Sequence, residues 1–402
     1  MTSLRTIGKK ALMTSKKFSR GPTINLSAAP QADPIYVTKP YLPPLDEFVG
    51  KLQEIWERGI LTNNGPVNCE LESRLELALD AKSVATVSNG SIAIELALEA
   101  AGLTGEVITT PYSFVATSHS ILRAGLTPVF ADLGANSFNI DPEKVEAAIT
   151  GRTSAILAVH CYGQPCNVDA LGDIAKRHNL ALIYDAAHAF GVRLDGRSLF
   201  EYGDYSTISF HATKVFHTFE GGAICVNDPV ARDRINSLRN FGITSETTIP
   251  YVGTNAKLNE ISAAMGLLQL DHFDYVLQSR AHVAQFYRNA LADIDGIVIP
   301  DTIRGVQQNY AYFPIIITSS YPEARDDLYE RLKRFGIFTR RYFYPLLSSL
   351  TMYRNFPSAY PANLPNAIQM ADRVLCLPFY PDLSDTNLSR IVDMIRRPQT
   401  GR

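Results

Sequence analysis

The chain has 402 residues, 46% of them hydrophobic and 19% charged. That length predicts two domains, or one large and one small, and the apolar content excludes a disordered or fibrous chain. A net charge of −2 favours neither nucleic acid nor an anionic membrane as partner, and no apolar run approaches the ~20 residues of a membrane span.

Residues 1–32 carry Arg5, Lys9, Lys10, Lys16, Lys17 and Arg20 with no acid before Asp33. No signal-peptide core or small-residue cleavage site follows. Residues 1–34 therefore read as a solvated basic extension, with an organellar transit peptide as the alternative. From about Pro40 to Asn240, helical and strand signals alternate. A helix over 70–81 places Leu71, Leu75, Ala78 and Leu79 on one face. A second, over 92–101, opens with the turn Ser88-Asn89-Gly90-Ser91. Short β-branched or apolar runs lie at 107–110, 128–131, 155–159, 181–184, 207–210 and 223–226. Most are apolar at consecutive positions, as strands buried on both faces are. This predicts an α/β domain with a largely parallel sheet and helical crossovers, among them 142–149 and 168–178.

After about Pro250 the texture changes. A long helical region over 258–292 has a break near Asp271, followed by a strand at 312–317 and helices at 323–335 and 385–395. These suit a smaller α+β domain. The Pro- and Tyr-rich stretch 342–365 reads as an ordered loop, because its aromatics would be costly to leave solvated. The expected organisation is a basic extension (1–34), a large domain (35–250) and a small one (251–402). Five cysteines without C-x-x-C spacing fit reduced thiols in a cytoplasmic protein, with no metal site and no disulfide frame.

Lys214 ends the run Ser209-Phe210-His211-Ala212-Thr213-Lys214, after a predicted buried strand and before Gly221-Gly222. A lysine there can be partly desolvated, which lowers its pKa and makes Schiff-base chemistry feasible. A solvated surface lysine is the alternative. Upstream, the strand at 181–184 runs into Asp185, then Ala186-Ala187-His188. An acid at the carboxyl end of a parallel strand points into the ligand crevice. It can cap the next helix, or pair with a pyridinium nitrogen and keep pyridoxal phosphate an electron sink. Asn89, Gly90 and Ser91 either form an ordinary helix cap or offer free amides to a dianion. Phe114, beyond another strand end, either stacks on a planar ring or packs in the core.

Taken in order, these stretches resemble the DegT/DnrJ/StrS sugar aminotransferases, which have the aspartate-aminotransferase (type I) fold and use pyridoxal phosphate. The likeness spans about residues 35–395. It includes Leu61-Thr62-Asn63-Asn64-Gly65-Pro66, Pro111-Tyr112-Ser113-Phe114-Val115-Ala116-Thr117, Val159-His160-Cys161-Tyr162-Gly163-Gln164-Pro165 and the segments around Gly90, Asp185 and Lys214. Asn255-Ala256-Lys257 is similar to the family's Asn-x-Arg motif, with lysine in place of arginine.

The resemblance implies that Lys214 carries the cofactor as a Schiff base and that Asp185 binds its ring nitrogen. It implies that Gly90, Ser91 and Ser209 hold the phosphate, joined by Asn255 from the partner subunit of a homodimer. Phe114 would cover a ring face. His188, where many relatives have glutamine, would donate to the phenolic oxygen or serve as a buried structural residue. A dehydrating subgroup has histidine at the place of Lys214, so dehydration is not expected.

The run Ser209 to Lys214, followed by Glu220-Gly221-Gly222, resembles members that aminate sugar carbon 4 in bacterial surface-polysaccharide pathways. The implied reaction passes the amino group of L-glutamate to a nucleotide-linked 4-keto-6-deoxy sugar by ping-pong alternation. The implied sugar is dTDP-4-dehydro-6-deoxy-D-glucose, which would become dTDP-4-amino-4,6-dideoxy-D-glucose. A carbon-3 or UDP-linked sugar aminotransferase is the alternative within the family. A non-catalytic cofactor-binding regulator is the alternative outside it, although no DNA-binding module is appended. For the sugar nucleotide the candidates are Asn63, Asn64, Phe216, His217, Arg341 and Tyr344, against plain surface-loop or packing roles.

Overall fold

Strands that are apolar at every position must be covered on both faces, and the central sheet is made of such strands. The structure, a computed structural model, describes residues 33–398. The basic extension over 1–34 lies outside the described residues except for Asp33 and Pro34. The chain enters through helices α1 (Leu45–Arg58) and α2 (Pro66–Leu79) before β1 (Val84–Val87), α3 (Gly90–Ala100) and β2 (Glu106–Thr109). Next come α4 (Val115–Arg123), β3 (Thr127–Phe130), α5 (Pro142–Ala147), β4 (Thr153–Val159), α6 (Val168–His178) and β5 (Ala181–Asp185). A hairpin of β6 (Arg193–Leu194) and β7 (Arg197–Ser198) leads to β8 (Tyr205–Ser209), β9 (Gly222–Val226) and α7 (Pro229–Leu238).

The seven-stranded sheet has the order β1-β9-β8-β5-β4-β2-β3. It is parallel from β8 through β3, and β9 alone runs against both of its neighbours. The reversal has a local cause. No helix intervenes between β8 and β9, and a parallel return would need a crossover. The loop 210–221, which carries Lys214, therefore stays at the carboxyl end of β8.

The second half contains α8 (Glu260–Asp271), α9 (Phe273–Leu291), β10 (Ile297–Val298), β11 (Val306–Gln307) and β12 (Pro314–Ile317). It ends with α10 (Arg325–Arg334), α11 (Pro365–Arg373), β13 (Val374–Cys376) and α12 (Asp385–Arg396). Strands β10, β12 and β13 form an antiparallel sheet whose Ile315, Ile317 and Leu375 pack with Tyr287, Leu328, Leu332 and Ile391. The expected break near Asp271 is the junction of α8 and α9. Helix α8 lies over the large sheet, its Ala263, Ala264 and Leu267 packed against Leu71, Leu75 and Val84. The opposite face is covered by Ala93 and Ala97 of α3 and Ile235 and Leu238 of α7.

The predicted strands and helices are present, most of them shifted by one to four residues. Helix α2 starts earlier than expected, with Pro66 in its first turn, where a missing N–H costs nothing. Unanticipated were β1, β6, β7, β10, β11, β13, α1, α4, α7 and α11. The run Val84-Ala85-Thr86-Val87 is too short for a periodic signal, and α1 buries only Ile55. The 342–365 loop is ordered by burial of Phe343, Leu346, Leu347, Tyr353 and Leu364 against Tyr112 and Phe130. No helix among the described residues is long and apolar enough to cross a membrane.

Candidate active site

The strands β1, β2, β5 and β8 all end on one edge of the sheet, and a cavity of about 260 Å³ opens there. Its walls include Gly90, Ser91, Phe114, Asp185, His188, Ser209 and Lys214. Seven of the residues singled out in the sequence thus converge, because carboxyl ends of neighbouring parallel strands face the same crevice.

Asn89 caps α3, its Oδ1 accepting from the Ile92 amide at 2.9 Å. The first-turn amides of Gly90 and Ser91 have no acceptor within the helix and carry its positive end. A Cβ on Gly90 would lie 2.7 Å from the Cβ of Ser209. Glycine lets the helix start and the β8 end approach closely enough to form one cradle.

Asp185 is buried, and its carboxylate is met by neutral donors. Thr117 Oγ1 donates to Oδ2 at 2.7 Å and the Ala187 amide to Oδ1 at 3.1 Å. Burial raises its pKa, against the opposing pull of these bonds and the Lys214 charge. Lys214 is half-buried. The cavity walls desolvate its amine and lower its pKa from 10.5 to about 8, partly offset by Asp185.

His188 is held on every side. Its Nδ1 accepts from the Tyr162 amide at 3.2 Å, which leaves the proton of the neutral ring on Nε2. Burial first, and Lys214 second, keep its pKa well below the usual 6.5. The ring lies parallel to that of Phe343 and meets Tyr312 edge-on. Phe114 is 59% exposed at the cavity wall.

The remaining candidates lie elsewhere. Phe216 is packed in the core, face to face with Phe190 at 4.2 Å. His217 is buried, with its Nε2 donating to Tyr41 O at 2.7 Å. Both are corrections to the sequence reading: once Lys214 faces the crevice, residues 215–218 must turn back into the core. Arg341 and Tyr344 also miss the cavity. The Arg341 guanidinium donates to Asp326 at 2.9 Å and sits over the rings of Tyr329 and Tyr344. From the same segment Tyr342 and Phe343 reach the wall instead.

Asn63 and Asn64 line a separate polar cavity of about 270 Å³ with Arg239 and Lys257. Asn255 is exposed and outside its own chain's Lys214 cavity. Its Oδ1 accepts from Lys257 Nζ at 2.7 Å.

Several contributors were not anticipated. Ser113 and Thr117 form a hydroxyl pair at 2.8 Å that ends on Asp185, and their four-residue spacing around the start of α4 is the available signal. Asn309 Nδ2 donates to the carbonyls of His188 and Phe190, fixing the turn after β5. No local pattern marks Asn309.

The chain resembles known proteins over most of its length. Residues 45–396 match the DegT/DnrJ/EryC1/StrS aminotransferase family. The dTDP-4-amino-4,6-dideoxy-D-glucose transaminase of Shigella dysenteriae is 48% identical over 363 residues, 90% of this chain and 98% of that protein. The crystal structure of DesI in the presence of its TDP-sugar product superposes with a TM-score of 0.87. It is 38% identical, covering 91% of this chain and 93% of that one. The PLP-form of the putative sugar aminotransferase Spr1654 from Streptococcus pneumoniae gives 0.83 at 25% identity, over 90% and 98% of the two chains.

Proposed function

Because the chain belongs to the DegT/DnrJ/EryC1/StrS aminotransferase family, we propose that it makes dTDP-4-amino-4,6-dideoxy-D-glucose. The amino group would come from L-glutamate and the acceptor would be dTDP-4-dehydro-6-deoxy-D-glucose. One observation carries the reading. An amine with a pKa of about 8 and a buried carboxylate answered only by neutral hydrogen bonds share the cavity at the ends of β5 and β8.

The residues present fit pyridoxal phosphate: the Gly90 cradle has room for a phosphate only because no Cβ fills it. When bound, that cofactor supplies an electron sink for the carbanion and ferries the amino group from donor to acceptor. Lys214 Nζ would hold it covalently. With its lowered pKa, a fair share of Nζ is neutral near physiological pH. The amine can therefore take the proton from the donor's α-carbon and deliver one to carbon 4 of the sugar.

Asp185 would hold a proton on the ring nitrogen, since a cation there relieves a carboxylate that burial penalises. The amides of Gly90 and Ser91, with Ser209 Oγ, would bind the phosphate at the positive end of α3. His188 would donate from Nε2 to the phenolic oxygen, because Nδ1 is already engaged. Phe114 would shield one ring face from water.

The enzyme would act as a cytoplasmic homodimer. The exposed Phe241, Ile249, Tyr251 and Val252 give the segment before Asn255 an apolar surface that a monomer leaves in water. Lys257 occupies Asn255 Oδ1, which leaves the amide N–H groups to reach the phosphate held by the partner. A monomeric mass in light scattering would remove this part of the reading.

Incubation with glutamate and 4-keto-6-deoxy sugars carried on dTDP or on UDP, with NMR of the product, tests the whole. An amine on carbon 4 of the dTDP sugar is expected. Amination at carbon 3, or preference for UDP, overturns the substrate assignment. Visible absorption unmoved by glutamate overturns the transaminase itself.

A further inference from the structure

Both proposed substrates are anions: the donor carries carboxylates and the sugar nucleotide a diphosphate. The cavity is poorly charged to receive them. Lys214 is its only lysine or arginine among the described residues, Asp185 and Glu220 are on its wall, and His188 is held neutral. His211, the other wall histidine, has its Nε2 turned to Glu220 at 3.6 Å. A further cation would strengthen the hold on a carboxylate or diphosphate entering this space.

The nearby arginines are mostly committed. Arg325 bonds to Asp326 and to the carbonyls of Ala371 and Val374. Arg341 is fixed on Asp326, and the buried Arg280 donates to Tyr310 O at 3.0 Å. Arg340 differs. Its backbone is pinned to Cys376 in both directions, at 3.0 and 2.7 Å. Its side chain is exposed, and its guanidinium has no hydrogen-bond or ion-pair partner among the described residues.

Arg340 lies two residues before Tyr342, so their backbones are within about 7 Å of each other, and Arg341 between them turns to α10 and Asp326. Tyr342 is a cavity wall residue packed edge-on against Tyr312 at 5.7 Å, and Tyr312 is a second wall residue. The Arg340 charge is felt by the Tyr342 hydroxyl, where it opposes the rise that burial imposes on that phenol's pKa.

We propose that Arg340 is a substrate-binding residue: its free guanidinium receives an oxyanion of the substrate, carboxylate or diphosphate, at the mouth of the Lys214 cavity beside Tyr342. The proposal rests on the transaminase reading above. A guanidinium offers paired N–H donors that match either group, and such charge-assisted bonds are among the stronger polar contacts.

The test uses the holoenzyme and its Arg340→Gln and Arg340→Lys variants. The two half-reactions are followed separately by visible absorption: glutamate with the pyridoxal form, and dTDP-4-dehydro-6-deoxy-D-glucose with the pyridoxamine form. Arg340→Gln is expected to raise the half-saturating concentration in at least one of them by roughly 10- to 100-fold. The limiting rate should change little, and Arg340→Lys should recover part of the loss. A shift with glutamate identifies the carboxylate as the ligand, and a shift with the sugar nucleotide identifies the diphosphate. Titration calorimetry with dTDP alone reads the second case without turnover. Wild-type saturation of Arg340→Gln in both half-reactions overturns the proposal. A wild-type enzyme that fails to respond to glutamate overturns the reading beneath it instead.

Discussion

Glu72 and Asp185 are buried to the same degree, each 5% exposed, yet the fold treats them in opposite ways. Glu72 accepts from Arg239 Nη1 at 2.5 Å, from Arg232 Nη2 at 3.1 Å and from the Thr86 amide at 2.8 Å. Two guanidinium groups neutralise it and tie α2 to α7 and β1. Asp185 receives one hydroxyl and one amide. Neutral donors do not cancel the desolvation of its charge, and its pKa rises. A carboxylate that joins elements is saturated with cations. One that is to meet an incoming cation is left short of them.

The largest effect expected at the undersaturated end comes from Lys214→Ala. Loss of the positioned base alone should lower turnover by ~10²–10⁴-fold, and loss of the covalent tether should lower it further. Borohydride trapping should find no cofactor on the chain, whereas a trapped adduct elsewhere would reassign the lysine.

Asp185→Asn should follow with a rate loss of about 10²–10³, the order seen when one electrostatic stabiliser is removed. The cofactor-free variant should be no less stable than wild type near pH 7. The pKa of Asp185 is raised above its ordinary 3.8, so ionisation costs the folded state more as pH climbs through that window. Removing the charge removes the cost. A clear drop in urea midpoint for the cofactor-free variant would mean that Asp185 is a structural joint after all.

Glu72→Gln should show the reverse pattern. It strands buried guanidinium charge, which costs about 3–5 kcal/mol, readable by urea denaturation, while turnover per folded molecule changes far less.

The smallest effect sharpens the Asp185–Lys214 coupling. In the cofactor-free protein, acylation of Lys214 followed by mass spectrometry should titrate with a midpoint of about 8 rather than 10.5. Asp185→Asn should move that midpoint lower, because the carboxylate favours the ammonium form. The lowered amine pKa also makes the cofactor-free fold gain stability as pH rises from about 8 to 10.5, a gain that Lys214→Ala should abolish.

Much of this site was legible because its residues follow strands whose apolar runs are local signals. Asp185 and Ser209 each close such a run, and Gly90 opens a helix immediately after a turn. Less legible were residues whose role is to hold another: Thr117 on Asp185, the Tyr162 amide on His188, and Asn309 on the turn between. Such contacts join positions far apart in the chain, and nothing in the spacing of hydroxyls or amides announces them. The substrate-side candidates fared differently. Phe216 and His217 are neighbours of Lys214 in sequence, but the return to β9 turns them inward.

Sequence alone determined the alternation of buried strands and helices, the α/β class and the chemistry available at the carboxyl ends. Those features depend on residue type and short-range period, which are properties of the chain itself. Tertiary structure decided which side chains share a space. It set β9 against its neighbours, sent Arg341 to Asp326 and left Arg340 free. It also gave Glu72 two hydrogen-bonded guanidinium groups and Asp185 only neutral donors. Compensation of charge is set by what folds against a group, and that is fixed only when distant segments meet.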